Sequence, residues 1–309
     1  MARSAMATQS TTPNNTLAQK SKPRFSVFMQ SDTVKNLINT TLQDPKRAQR
    51  FSAAIVSAVS ANPKLQECEA TTVLSSALLG EALNLSPSAA LGQYWLIPYK
   101  NNKTNISVCQ FQIGVNGYKQ LAMRSGQYLD IDAIEVREGE YKGRDKQTGK
   151  PIFEFIDDDD VRESLPIIGF LAYFELLNGF KKSVYFSMEK MIKHADKYSQ
   201  AFSRKTYEDI QNGKVPQDQM WKYSSPWYSD FTGQALKTVI KNLLSKWGIL
   251  SIELQNAVEY DQGVGVVRDG KLTGVDYVDN PAEDFVIEPA PVSDDNQKSD
   301  PTLFDDPLK

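Results

Sequence analysis

Between Asn84 and Leu129 the chain carries Lys100, Lys103, Lys119 and Arg124 but no Asp or Glu. Six aromatic residues are interleaved with these cations: Tyr94, Trp95, Tyr99, Phe111, Tyr118 and Tyr128. With 38 acids in 309 residues, a stretch of this length would ordinarily hold about six. Cations and flat rings without carboxylates suit a polyanion that also offers π-faces. Single-stranded nucleic acid fits, since Lys and Arg neutralise its backbone while its bases stack on aromatics. The plainer alternative makes most of these rings core and the cations ordinary surface. On these residues alone both readings stand.

A second acid-free interval runs from Phe231 to Ile252 and holds Lys237, Lys241 and Lys246. Lys237 and Lys241 are spaced i, i+4. On a helix both amines would leave one face, while Leu236, Val239, Ile240, Leu243, Leu244 and Trp247 bury another. Such a pair can bridge neighbouring phosphates, although a plain solvated face would show the same pattern. Two basic acid-free intervals in one chain favour nucleic acid.

Other chemistries find little support. Gly114 and Gly117 precede Tyr118 and Lys119 without forming the glycine-lysine loop that cradles nucleotide phosphates. One histidine, His194, and two distant cysteines, Cys68 and Cys109, assemble neither a zinc site nor a Cys/His nucleophile. Asp157, Asp158, Asp159 and Asp160 are adjacent, and four consecutive carboxylates do not converge on one small ion, so an acidic solvated loop is expected. Asp130, Asp132, Glu135 and Glu138 offer carboxylates for a two-metal nuclease, but no motif singles them out.

These residues need a scaffold, and the hydrophobic periodicity supplies one. Three helices are expected early: one from Asp32 or Thr33 to near Pro45, one carrying Phe51, Ile55, Ala58 and Val59, and a buried one over about Thr72–Leu83. The middle is strand-rich. Leu91–Tyr99 and Asn105–Ile113 flank a basic tip; Ile131–Tyr141 and Pro151–Ile156 flank a turn at Gly149; Gly169–Leu177 and Phe180–Phe186 flank the Asn178-Gly179 hairpin signal. A short helix covers Tyr118–Arg124. Helices return at Met188–Tyr198 and at about Ser229–Trp247. The class is α+β, a small antiparallel-rich sheet of hairpins backed by helices.

Charge is segregated along the chain. Residues 261–309 hold 12 acids and 4 bases, whereas residues 1–260 hold 26 acids and 31 bases. Residues 1–24 read as a disordered tail, residues 25–260 as the working domain, and residues 261–309 as an acidic, mostly disordered partner-interaction tail. Apolar islands at Phe285–Ile287 and at Leu303 and Phe304 suit short partner motifs. No apolar run is long enough to span a membrane, and two cysteines suggest a reducing cytoplasm.

At this point the chain resembles the phage and prophage RecT-type single-strand annealing proteins, over roughly residues 25–260. The resemblance rests on Leu91, Gly92 and Trp95 through Lys100; on Phe111, Gln112, Gly114, Gly117 and Tyr118; and on Arg124, Gly126, Gln127 and Tyr128. Val136–Glu140, Asn178–Phe180, Pro226-Trp227 and Leu243–Ser251 extend it. The late helix departs from the family: Leu236 replaces the first lysine of a pair, and Asn242 stands where a cation is usual.

The resemblance implies an ATP-independent recombinase of the bacterial cytoplasm that binds single-stranded DNA and anneals complementary strands in homologous recombination. It also implies self-assembly into rings or helical filaments and a partner 5′→3′ exonuclease; the acidic tail suits a host single-strand-binding protein. No catalytic residue and no cofactor are expected, and Mg2+ enters as a modulator without an identified bound site. Lys100, Lys119, Arg124, Lys237 and Lys241 are the expected phosphate contacts, with Lys193 and Lys197 behind them. Tyr118 is the ring expected against a base or sugar. Trp95 and Trp247 are expected in the core, and Arg137 in a structural ion pair. The alternatives are a single-strand coating protein without annealing activity, a metal-dependent nuclease, and a structural protein whose basic face binds an acidic partner.

Overall fold

Apolar residues recurring every three to four positions gather the first helices. The computed structural model describes residues 24–101, 105–199, 201–223, 225–268 and 271–277. α1 (Phe25–Met29) and α2 (Asp32–Leu42) pack against α3 (Pro45–Ala61). Asp44 starts α3: its carboxylate accepts from the backbone N–H groups of Lys46 and Arg47, and Pro45 holds the first helical position. α4 (Ala70–Ala82) is buried continuously from Val73 to Gly80, as a helix covered on all sides must be.

β1 (Tyr94–Asn101) and β2 (Ile106–Ile113) form the expected antiparallel hairpin, with β2 laid on α4. α5 (Val115–Arg124) leads into β3 (Tyr128–Arg137), followed by the short β4 (Tyr141–Arg144), β5 (Pro151–Phe153) and α6 (Asp159–Ser164). β6 (Ile167–Leu176) and β7 (Lys181–Ser187) form the Asn178-Gly179 hairpin. α7 (Met188–Tyr198), α8 (Arg204–Gln211) and α9 (Pro226–Ser229) precede the long α10 (Phe231–Trp247) and α11 (Ile252–Tyr260). The principal sheet is antiparallel in the order β3-β6-β7. Ile131, Ala133, Phe170, Ala172, Phe174 and Phe186 are buried, and α10 crosses all three strands. The α+β class of small antiparallel sheets backed by helices is as the sequence indicates.

Three expectations change. The strand at Ile131 does not continue to Tyr141 and pair with Pro151. β3 ends at Arg137 and pairs with β6, while Pro151 pairs with β4. Gly139, at φ +87°, turns the chain between β3 and β4. The acidic tail does not begin at 261: β8 (Val264–Arg268) and β9 (Lys271–Asp276) form a further hairpin, with β8 on α4. The Val-rich stretch that looked like a loose tail therefore closes the core. Residues 1–23, the Lys103 tip and residues 278–309, with their apolar islands, lie outside the described residues.

The third change concerns α10. Lys237 and Lys241 do not leave it for solvent, being only 6% and 7% exposed. Their ammonium groups lie 2.8 and 3.1 Å from the two carboxylate oxygens of buried Asp261, which also accepts the backbone N–H of Ile113. One carboxylate thus ties α10 and β2 to the turn after α11.

A second buried carboxylate organises the β3–β4 corner. Glu140 accepts from the Arg162 side chain and from the backbone N–H groups of Arg137 and Ile156. Arg137 itself pairs with Glu135 and donates to the Leu165 carbonyl, so its expected ion pair exists with a different acid. Asp158, from the run of four acids, caps α6 by accepting from Val161 N–H.

Removing one partner of a buried ion pair strands the other charge, at about 3–5 kcal/mol. Asp261→Ala should therefore cost at least that much in urea unfolding, because it strands two ammonium groups. A loss under about 1 kcal/mol would show that the cluster is not structural. Burial of Glu140 opposes ionisation, but its bonds to Arg162, Arg137 and Ile156 outweigh it and hold the carboxyl below 4.5. A depressed carboxylate stabilises fully above its unfolded value and loses that contribution as pH falls through its folded value. Unfolding free energy should accordingly fall with acid from about pH 4.5 downward, and Glu140→Gln should flatten that limb in denaturant titrations.

Candidate nucleic-acid interface

β7 is an edge strand, and the β4–β5 hairpin leans over it. Tyr141 stacks on Tyr185 with centroids 4.8 Å apart, and Phe153 meets the same ring edge-on at 5.4 Å. Between hairpin and strand lies an open groove of about 490 Å3. Arg144 and Lys150 line it from the hairpin, Lys181 and Lys182 from β7, and Lys190 from the first turn of α7. Tyr173, Phe174, Tyr185 and Trp247 add rings to its wall. Its two acids are Asp130 and Glu175, and Glu175 is paired with Lys181 at 2.8 Å.

The electrostatics of this groove are those of an anion site. Burial lowers the Lys190 pKa, and the nearby positive charges of Lys246 and Arg144 lower it further. Its ammonium lies 3.6 Å over the Phe186 ring. Lys182 sits likewise over Trp247, at 3.8 Å. Cations crowded so that they repel one another are relieved by a polyanion. Rings beside them accept bases, so the groove combines the two elements of single-strand binding.

The expected site residues are scattered by comparison. Lys100 is exposed at the end of β1. Lys119 lies on α5 and pairs with Asp132 of β3 at 2.7 Å. Arg124 spends its guanidinium on the Leu83 and Asn84 carbonyls, closing the end of α4. Lys193 and Lys197 are exposed on α7, the first paired with Glu189 and the second near the Tyr198 ring. Lys237 and Lys241 are the buried partners of Asp261, and Tyr118 is fully buried, so none of these three presents a surface to DNA. Trp95 and Trp247, expected in the core, are instead 41% and 49% exposed. Each sits at an edge of the fold, Trp95 on a two-stranded hairpin and Trp247 on the last residue of α10.

Arg144, Lys150, Lys181, Lys182 and Lys190 escaped the sequence reading because the groove joins segments that local patterns do not connect. A signal existed in the tips of two hairpins: Lys142, Arg144, Lys146 and Lys150 in one, Lys181 and Lys182 beside the other. Gly114 and Gly117 prove to be packing residues, since a Cβ at either would come within 2.1 Å of the Gly92 or Gln93 carbonyl oxygen. Among the described residues, no three His, Cys, Asp or Glu side chains are grouped to hold a metal ion. No helix among them is long and apolar enough to cross a membrane.

The family model described as "RecT family" matches residues 49–272. The chain is 33% identical over 311 residues to "Uncharacterized protein YqaK" of Bacillus subtilis (strain 168), covering 98% of this chain and 95% of that protein. It is 26% identical over 243 residues to "Protein RecT" of Escherichia coli (strain K12), covering 76% of this chain and 79% of that protein. The matched span runs from within α3 into β9 and takes in the whole groove, and the chain belongs to the RecT family of single-strand annealing proteins.

Proposed function

We propose that this protein holds single-stranded DNA in the groove beside β7 and anneals it to a complementary strand in homologous recombination, without nucleotide hydrolysis. The observation that carries this reading is the groove itself, with five cations, two acids and four rings. Annealing asks no covalent step of the protein. Two polyanionic strands repel, and each is tangled by its own pairing. Lys and Arg along one backbone remove the repulsion and hold the strand open. Pairing then releases roughly 1.4 kcal/mol per stacked step, enough to make ATP unnecessary. Contacts confined to backbone and base faces leave the pairing edges free, so sequence preference should be weak.

In this reading the protein acts as a ring or filament of copies on a strand exposed by a 5′→3′ exonuclease. It requires no bound cofactor, and Mg2+ acts on DNA phosphates. Lys100 and Lys197, both exposed, extend the phosphate contacts beyond the groove. The test is duplex formation from two complementary labelled oligonucleotides, ATP absent and protein varied. Faster annealing with intact strands is expected. Binding without acceleration would make this a coating protein, and Mg2+-dependent strand loss would make it a nuclease.

Two further outcomes probe the groove. Arg144→Ala, Lys150→Ala and Lys190→Ala together should weaken binding to every sequence. They should also reduce the slope of log affinity against log salt by about two, at about 0.7 per phosphate contact on single strands. An unchanged slope in a folded triple variant would place DNA elsewhere. A phosphate beside Lys190 favours the charged amine, whose free-protein pKa lies below 10.5. Affinity should therefore fall as pH rises through that lowered value. Lys190→Arg, charged throughout, should remove the step in an alkaline binding titration.

A further inference from the structure

The groove contains one ring whose placement goes beyond charge neutralisation. Trp247 ends α10, whose Ala235, Val239, Ile240, Leu243 and Leu244 are buried, yet its own side chain is half exposed in the groove wall. The backbone that follows Trp247 is constrained. A Cβ at Gly248 would lie 2.6 Å from the Tyr128 hydroxyl and 2.8 Å from the Leu244 carbonyl oxygen, so glycine is required there. The same Tyr128 hydroxyl donates to the Ile249 carbonyl at 3.1 Å. An indole held this way loses little freedom when a ligand stacks on it.

In the free protein the ring is covered by a cation, with the Lys182 ammonium 3.8 Å from its centroid. Lys182 is a groove residue on β7 with a flexible four-carbon stem. We propose that Trp247 is the base-stacking platform of the groove and that Lys182 is its placeholder. On binding, the Lys182 ammonium swings from the indole to a phosphate, and a base takes its position on the ring. The exchange is favourable because a stacked base outweighs a solvent-exposed cation–π contact, while the ammonium gains a full anionic partner. A base stacked by its face keeps its pairing edge open to the incoming strand.

The inference rests on the groove reading, and its test separates the two. Binding by the full chain is measured for an oligothymidylate and for an abasic phosphodiester strand of equal length. Trp247→Leu should weaken oligothymidylate binding about tenfold or more. It should leave the salt slope and the abasic strand unaffected, and Trp247→Phe should recover most of the loss. Lys182→Ala should lower the salt slope by about 0.7 on both strands. If Trp247→Leu binds both strands as wild type does, or loses both equally, the platform is wrong. Should that variant fail to fold, the fluorescence difference between wild type and Trp247→Phe decides. Quenching by oligothymidylate but not by the abasic strand supports the platform, and equal or absent quenching overturns it. Loss of binding in the Arg144, Lys150, Lys190 triple variant alongside a silent Trp247→Leu would reject only the platform. Silence in both would reject the groove.

Discussion

The fold turns on a carboxylate placed between two lysines. Asp261 holds the Lys237 and Lys241 ammonium groups within 3.1 Å and accepts the Ile113 N–H, joining a central helix, the first hairpin and the chain leaving α11. Ions taken out of water are costly unless paired and hydrogen-bonded, so this contact fixes where α10 can lie. A hydrophobic helix could rotate or slide beneath the sheet at modest cost. Two charges one turn apart, sharing one acid, allow a single register. The position of everything at the C-terminal end of α10, Trp247 included, follows from that register.

The groove is arranged on the opposite principle. Its cations lie where water reaches them, on two hairpins and the first turn of α7, and they crowd each other rather than pairing off. Among the described residues, only Lys181 of the five has a carboxylate partner within 4 Å. Outside it, Lys119, Arg162 and Arg204 all have acids close by. Cations that tie elements together are thus matched by acids, whereas most of the groove's charge is left uncompensated. The hairpin that forms one wall rests on Tyr185 through two rings, Tyr141 and Phe153, a contact that orients Arg144 without burying it.

Elements made by neighbours in sequence were legible. The Asn178-Gly179 hairpin, α7 from Met188 to Tyr198 and the β1–β2 hairpin stand where pattern and turn chemistry put them. Pairings across long separations were not, as with β3 on β6 or β8 on α4. The most instructive misreading is the acid-free interval from Asn84 to Leu129. Four of its six rings, Tyr94, Phe111, Tyr118 and Tyr128, are buried. Those rings pack the core and so do not mark a surface for a polyanion, although the interval also carries exposed positions such as Lys100 and Arg124. In α10 the buried Lys237 and Lys241 are matched by Asp261, which lies outside that acid-free interval. Family likeness identified the class of protein correctly while the residues that first suggested DNA were mostly structural.

Single-strand annealing imposes opposing demands, and in the proposed reading the groove meets both. The strand must be gripped tightly enough to stay extended, yet its pairing edges must remain unused. Side chains that hydrogen-bond base edges would compete with the second strand; cations on phosphates and a ring against a base face do not. Amine cations suit this task, because an ammonium is a point charge on a mobile stem and follows a moving backbone. Four of the five groove cations are lysines. The guanidinium of Arg162, by contrast, is used where a fixed fork is needed, on the buried carboxylate of Glu140. In the proposed reading, the arginine fork braces the scaffold at Glu140, while four mobile ammonium groups face a strand that must enter and leave the groove.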